Sequence, residues 1–203
     1  MKRLVMAVLA ACLLFSQPAL AEDGNDANFA QYNVQVGFSP FGGSLNFGYN
    51  VSSRTSWNFV LGGLPAGVLE LEQDIGGTKY THQSNASWVG AFLSHRPIES
   101  ARWFRVVAGF GIGRIQNELT DANGNTYSAD YTGNPVGYLG VGFGGKAEKG
   151  FIYGLDIGWL QTGGPDIKLV EGTADAKAMA DIKDHIFFGS VLPNVQLTLG
   201  YGF

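Results

Sequence analysis

Apolar residues alternate with small or polar ones through most of the chain, most clearly in the last eleven residues. Val195, Leu197, Leu199, Tyr201 and Phe203 take one set of positions, and Asn194, Gln196, Thr198, Gly200 and Gly202 lie between them. Successive strand side chains point to opposite faces, so this predicts a strand with one apolar face and one narrow, polar face. The pattern recurs upstream. Phe151, Tyr153, Leu155, Ile157 and Trp159 alternate with Gly154, Asp156 and Gly158, although Ile152 and Leu160 blur the second face. Leu139, Val141 and Phe143 alternate with Tyr138, Gly140, Gly142 and Gly144, and Phe104 to Ile112 alternate with Arg105, Val107, Gly109, Gly111 and Gly113. Near the N-terminus the same reading holds for Trp57, Phe59 and Leu61, for Leu45, Phe47, Tyr49 and Val51, and for Tyr32, Val34, Val36 and Phe38. Ala86 to His95 is strand-like without assignable faces.

These segments make eight strands, an even number as a closed single-chain barrel needs. Their connections alternate in length. Asn50 to Thr55, Arg96 to Arg102 and Lys146 to Gly150 are short, whereas Gly62 to Thr81, Leu119 to Pro135 and Gly163 to Val191 are long. Short inner turns and long outer loops give this rhythm in membrane barrels. Ser39 to Gly43 interrupts it: read as a hairpin it preserves eight strands, and read as a bulge it leaves seven and no barrel. Because hydrocarbon offers no hydrogen-bond partner, only a closed sheet leaves no open edge there. The predicted fold is all-β, an eight-stranded antiparallel transmembrane β-barrel. A short helical segment is expected in the last long loop, where Ala174 to His185 carries alanine, methionine and alternating charges.

The first 21 residues change the picture of the N-terminus. Lys2 and Arg3 precede an apolar run from Leu4 to Phe15 and a small-residue site ending at Ala21, the anatomy of a secretory signal peptide. Residues 1–21 are expected to be removed, leaving 22–203 as the barrel. Leu9-Ala10-Ala11-Cys12 has the local form of a lipoprotein processing site, which the apolar run beyond Cys12 disfavours. Cleavage after Ala21 discards the chain's one cysteine, and with it thiol and disulfide chemistry.

Composition narrows the partners. Without Lys2 and Arg3, the 13 basic residues become 11 against 17 acidic ones, so nucleic acid is not an expected partner. Thirty glycines without a three-residue period, scattered among strands, read as a sheet with one narrow face. An eight-stranded interior is only just wide enough to be filled by side chains, and inward glycines relieve crowding there.

A terminal Phe203, with Tyr201 and further alternating apolar residues before it, resembles the C-terminal signal read by the outer-membrane assembly machinery. Together with the leader, it makes the chain resemble small Gram-negative outer-membrane barrels of the OmpW and OmpX type. A closer resemblance is to a group of largely uncharacterised outer-membrane proteins. It rests on the glycine-rich strand pair Val136 to Leu160, the loop Gly163-Gly164-Pro165-Asp166, the helix-prone stretch, and the proline-led strand Pro193 to Phe203. This chain ends Tyr-Gly-Phe where that group usually ends Tyr-Arg-Phe. The resemblance implies export through the periplasm to the outer membrane. It also implies a monomer among outer-membrane lipid and lipopolysaccharide, with the assembly machinery as partner.

Candidate chemistry is sparse. The Gly-x-Gly runs lie inside strands and precede no helix, so they are not phosphate loops. His82, His95 and His185 lack metal-ligand spacing with one another, and no metal or cofactor is expected. His82 and Ser84 share a strand face, and His82-Gln83-Ser84-Asn85-Ala86 resembles the His-x-Ser-Asn-Ala stretch of outer-membrane lipid A 3-O-deacylases, in which a glutamate completes the triad. Here the motif opens the fourth strand and Glu99 falls at the opposite membrane edge, so polar residues at a strand's outer end are the expected reading. Arg105 and Asp156, with Lys146, are the candidate lumen charges, either as a constriction selecting small solutes or as a pair holding the interior together; the pair is favoured. Trp57, Trp88, Trp103 and Trp159 are expected in interfacial girdles or barrel packing.

The expected function is a non-enzymatic barrel with a structural, surface-interaction or limited small-solute role. The alternatives are a narrow small-solute channel and, third, a lipid A-modifying hydrolase.

Overall fold

The computed structural model describes residues 27–68, 70–133, 135–173 and 175–203. The expected leader, residues 1–21, and with it Cys12, lies outside them. Eleven strands follow in chain order: β1 (Tyr32–Ser39), β2 (Gly42–Asn50), β3 (Thr55–Leu64), β4 (Glu70–Ile75), β5 (Thr78–His95), β6 (Phe104–Asp121), β7 (Thr126–Thr132), β8 (Val136–Gly144), β9 (Gly150–Gln161), β10 (Asp166–Glu171) and β11 (Val191–Gly202). One helix, α1 (Ala176–Asp184), lies between β10 and β11. Among the described residues no helix is long and apolar enough to cross a membrane.

Eight strands close on themselves in the order β1, β2, β3, β5, β6, β8, β9, β11, every neighbouring pair antiparallel. Closure is made by β1 against β11, from Asn33 opposite Gly202 to Phe38 opposite Leu197. Ser39 to Gly42 is a hairpin and not a bulge, with Ser39 opposite Gly42 and Pro40-Phe41 as its tip. Gly42 has φ +99°, and a Cβ there would lie 2.2 Å from the Gly63 carbonyl oxygen, so the tight return depends on glycine.

The long outer connections are not structureless. β5 and β6 each run 18 residues, well beyond the 9–11 residues that cross a bilayer. β6 shows where the barrel stops. From Phe104 to Gly111 it pairs with β8, and from Arg114 to Thr120 it pairs with β7. The outer halves of β5 and β6, with β4, β7 and β10, form a twisted sheet standing beyond the membrane on one side of the barrel mouth. Its inward residues keep the inward parity of the barrel strands, small or polar in the lumen and apolar here: Leu119 shares the face of Arg105 on β6, and Tyr80 that of Ser94 on β5. Ile75, Tyr80, Leu119, Tyr127, Ala129, Ile182 and Phe188 form one core there, with Ile167, Leu169, Ala178 and Met179 packed against it. Helix α1 is capped by Asp175, whose carboxylate accepts from the Lys177 amide, and it fixes Ile182 in this core.

Within the barrel, the alternating faces fall as the pattern predicts. Phe38, Phe59, Phe110, Tyr153, Trp159, Leu197 and Tyr201 point outward and are exposed, whereas Asn33, Asn46, Arg105, Asp156, Asn194 and Thr198 point inward and are buried. Such a continuous apolar band suits lipid and not water. Rings crowd its inner edge: Tyr32 against Tyr49 at 5.6 Å, Tyr32 against Phe203 at 6.4 Å, and Trp103 stacked on Phe143 at 5.9 Å. Trp103 and Trp159 are exposed on this band and Trp57 shares their face. Trp88 instead points inward and donates to the Phe41 carbonyl at 3.3 Å.

Candidate functional site

The inner end of the lumen is built from three short connections and the strand ends they join. Asn50, the last residue of β2, donates to the Ala30 carbonyl at 2.6 Å, and Ala30 is fully buried beside Gly202. The segment before β1 is therefore folded against the inner rim, tied from the end of β2 to the β8–β9 turn, where Ala30 donates to Ala147 and Lys149 donates to Asn28 along the backbone. Above it sit three charged side chains.

Arg105, inward on β6, donates from Nη2 to Asp156 Oδ2 at 2.8 Å and from Nη1 to the Gly144 carbonyl at 2.5 Å. Arg96 follows directly on β5. It donates to Ser56 Oγ at 3.1 Å and to the Gly145 carbonyl, and only 2% of it is exposed. Two guanidinium groups and one carboxylate thus line the inner end of the lumen. The glycines make room for them: a Cβ on Gly142 would lie 2.3 Å from Asp156 Oδ1 and 2.6 Å from Arg105 Nε.

Further out, Tyr138 lies over Gly140 and Gly158 and packs edge-on against Phe92, the ring centroids 5.7 Å apart. The Tyr138 hydroxyl and Asn194 are buried close to one another, and Asp156 Oδ1 is buried with no hydrogen-bond partner among the described residues. About 130 Å³ of cavity remains, running from Arg96 and Asn33 to a rim at Phe41 and Gly163-Gly164. That volume is below the 300–1,000 Å³ usual for sites that enclose a drug-sized ligand.

Of the sequence-predicted lumen charges, Arg105 and Asp156 are brought together and Lys146 is not. Lys146 is a correction: it stands exposed in the inner turn, 3.6 Å from Glu148. The left-handed Gly144 and Gly145 (φ +75° and +59°) reverse the chain, so the inward parity of β8 does not extend to it. Arg96 takes the third place in the lumen. It was hidden as the first residue of an expected turn, yet it keeps the inward parity of Ser94 and precedes Pro97.

His82 and Ser84 lie on the outer half of β5, above the barrel. Both point to Asn117 Oδ1 on β6, Ser84 Oγ at 2.8 Å and His82 Nε2 at 3.0 Å. Oδ1 accepts, so Nε2 carries the hydrogen, and the buried Nδ1 has no hydrogen-bond partner among the described residues. Phe188 closes over the ring edge-on at 5.1 Å. Burial holds the His82 pKa below the ordinary value. Glu99 is at the inner end, in an ion pair with Arg54 at 2.8 Å, beyond the end of β5 at His95, which is itself roughly 36 Å of strand from Ser84. The pair is thus held on a neutral amide, where a triad needs a group that orients and stabilises an imidazolium.

Tyr201 is outward on β11, opposite Val34 and Phe151, and Phe203 exchanges backbone hydrogen bonds with Tyr32. Both rings belong to the exposed inner girdle. Among the described residues, no group of three or more His, Cys, Asp or Glu has a metal-holding arrangement.

No protein-family model matches the chain, and no curated protein sequence does. Solved structures do. The chain is similar to CarO of Acinetobacter baumannii, with TM-score 0.64 and 18% identity over 86% of this chain and 98% of that one. It is also similar to CarO2 of Acinetobacter baumannii, with TM-score 0.67 and 16% identity over 86% of this chain and 99% of that one. At such identities the likeness is one of fold.

Proposed function

We propose that this chain is an integral outer-membrane barrel that does not conduct ions and acts as a structural and surface-presenting protein of the envelope. The observation that carries this reading is the inner seal, in which Arg96, Arg105 and Asp156 occupy the lumen above the buried Ala30. A cation meets two fixed guanidinium groups there, and an anion meets a carboxylate and a segment of packed backbone. The folded core beyond the membrane supports the second half of the reading. It buries Ile182 and Phe188 in a compact unit that holds its outer surface in a fixed shape. The outward apolar band, the inner aromatic girdle and the fold shared with CarO support an outer-membrane location, reached by export through the periplasm. The shared amide partner of His82 and Ser84 supports a protein without hydrolase activity.

Planar-bilayer recording tests the reading. Purified barrel, shown to be folded by a faster gel mobility before boiling than after it, is expected to leave the bilayer silent. Reproducible discrete openings would establish the narrow-channel alternative instead.

A further inference from the structure

The lipid-facing wall is not uniform. On β3, β5 and β6 the outward residues meet in rows across the strands: Phe59, Ala91 and Phe110 in one row, Leu61, Val89 and Ile112 in the next. Large side chains flank small ones in the same row, which leaves an apolar groove along β5 between two walls. One row further toward the outer surface stand Gly63, Ser87 and Arg114. Arg114 is exposed, and it has no hydrogen-bond or ion-pair partner among the described residues. Asp130, opposite Gln116, and Glu118 lie still further out, and the nearby Lys168 is already paired with Asp166 at 2.6 Å. A lone guanidinium at the level where the apolar band ends is at the depth of lipid headgroups. Its planar fork suits a phosphate.

We propose that this groove and Arg114 form a binding site for one lipopolysaccharide molecule of the outer leaflet, an acyl chain lying over Val89 and Ala91 and a lipid A phosphate held by Arg114. Two features in register argue for one ligand with both chemistries. The groove alone would take any hydrocarbon, and the cation alone any anion. Their alignment along β5 selects a lipid with a phosphate at the top of its acyl chains. Its place at the outer end of the band selects the outer leaflet. The site rests on the outer-membrane reading above and is independent of whether the barrel conducts.

Native mass spectrometry of the detergent-solubilised full-length protein, with bisphosphorylated lipid A added, tests it. Wild type is expected to retain one lipid A, and to retain dephosphorylated lipid A and phosphatidylglycerol less well. Arg114→Gln is expected to weaken retention about tenfold, the loss of one charge-assisted contact, and to abolish the preference for the phosphorylated form. Ala91→Phe, which fills the groove and leaves the charge, is expected to weaken all three lipids. Lys168→Gln is expected to behave as wild type. Each variant's fold is checked by heat-dependent gel mobility. Retention unchanged in both Arg114→Gln and Ala91→Phe would overturn the site, as would equal retention of phosphatidylglycerol by wild type. A silent, folded barrel indifferent to lipid A would remove this inference and leave the proposed function standing.

Discussion

Arg105 and Asp156 are joined at 2.8 Å across the β6, β8 and β9 wall, and the same guanidinium also reaches the Gly144 carbonyl. One side chain thereby ties two strands to the turn between their neighbours. Both partners are nearly buried, at 7% and 13% side-chain exposure, so the pair is costly to break from one side. Asp156→Ala would leave Arg105 and Arg96 as two enclosed cations with no carboxylate between them. We expect it to destabilise the folded barrel by about 3 kcal/mol, read from urea unfolding in detergent by tryptophan fluorescence. The double variant Arg105→Met with Asp156→Leu removes both charges and is expected to cost less than Asp156→Ala alone.

The outer core carries a pH dependence with a definite sign. His82 lies beyond the bilayer, half-buried between Asn117 and Phe188, and the desolvation there lowers its pKa. A histidine that is harder to protonate in the folded state takes up a proton on unfolding. Its contribution to stability is therefore whole above the ordinary histidine value of about 6.5 and declines as pH falls below it. Limited proteolysis of residues 172–190 is expected to run severalfold faster at pH 5 than at pH 7.5. His82→Gln, which keeps a donor toward Asn117 and cannot gain charge in this range, is expected to flatten that difference.

The barrel was legible because lipid on one side and a narrow interior on the other force a strict period of two, and Val195 to Phe203 displays it without exception. The outer strands were not. In Ile115 to Asp121 the inward Ile115 and Leu119 are interrupted by Asn117, and the outward residues face water instead of lipid, so alternation weakens. These residues become strand because β7 pairs beside them and β10 beside β7, and because a shared core forms with Ile182 and Phe188, the core contacts linking positions more than 50 apart. The site was half visible for a similar reason. Arg105 and Asp156 sit inside regular strands, where parity gives direction, whereas Arg96 and Lys146 sit at strand ends. There a proline or two left-handed glycines decide which side chain continues into the lumen.

Ser84 tests the remaining enzymatic alternative directly. Its hydroxyl is donated to Asn117 Oδ1 and it is 7% exposed, so an ester could reach it only if the packing around it opened. Lipid A incubated with wild type and with Ser84→Ala is expected to give identical, unmodified mass spectra. A serine-dependent loss of an acyl chain would reverse the assignment. Asn117→Ala removes the acceptor shared by His82 and Ser84 and should destabilise the outer core by about 1–3 kcal/mol, seen as earlier proteolysis of α1 with the barrel's gel mobility retained.

The inner seal makes the last prediction, because it separates a barrel that is filled from one that is merely gated. Arg96 bridges Ser56 on β3 to the turn at Gly145, and Arg105 bridges β6 to β9 and Gly144, so two guanidinium groups from neighbouring strands converge on the β8–β9 turn. Shortening either one leaves the other in place. Arg96→Ala alone is therefore expected to stay electrically silent, as is the neutral double variant Arg105→Met with Asp156→Leu, whose side chains still occupy the space. Arg96→Ala combined with Arg105→Ala removes both groups, leaves Asp156 exposed to the cavity, and is expected to give small cation-preferring openings in planar bilayers. Silence from that double variant, with its heat-dependent mobility intact, would mean that the segment around Ala30 closes the barrel by itself. Deleting residues 27–30 in the same background would then be expected to open it.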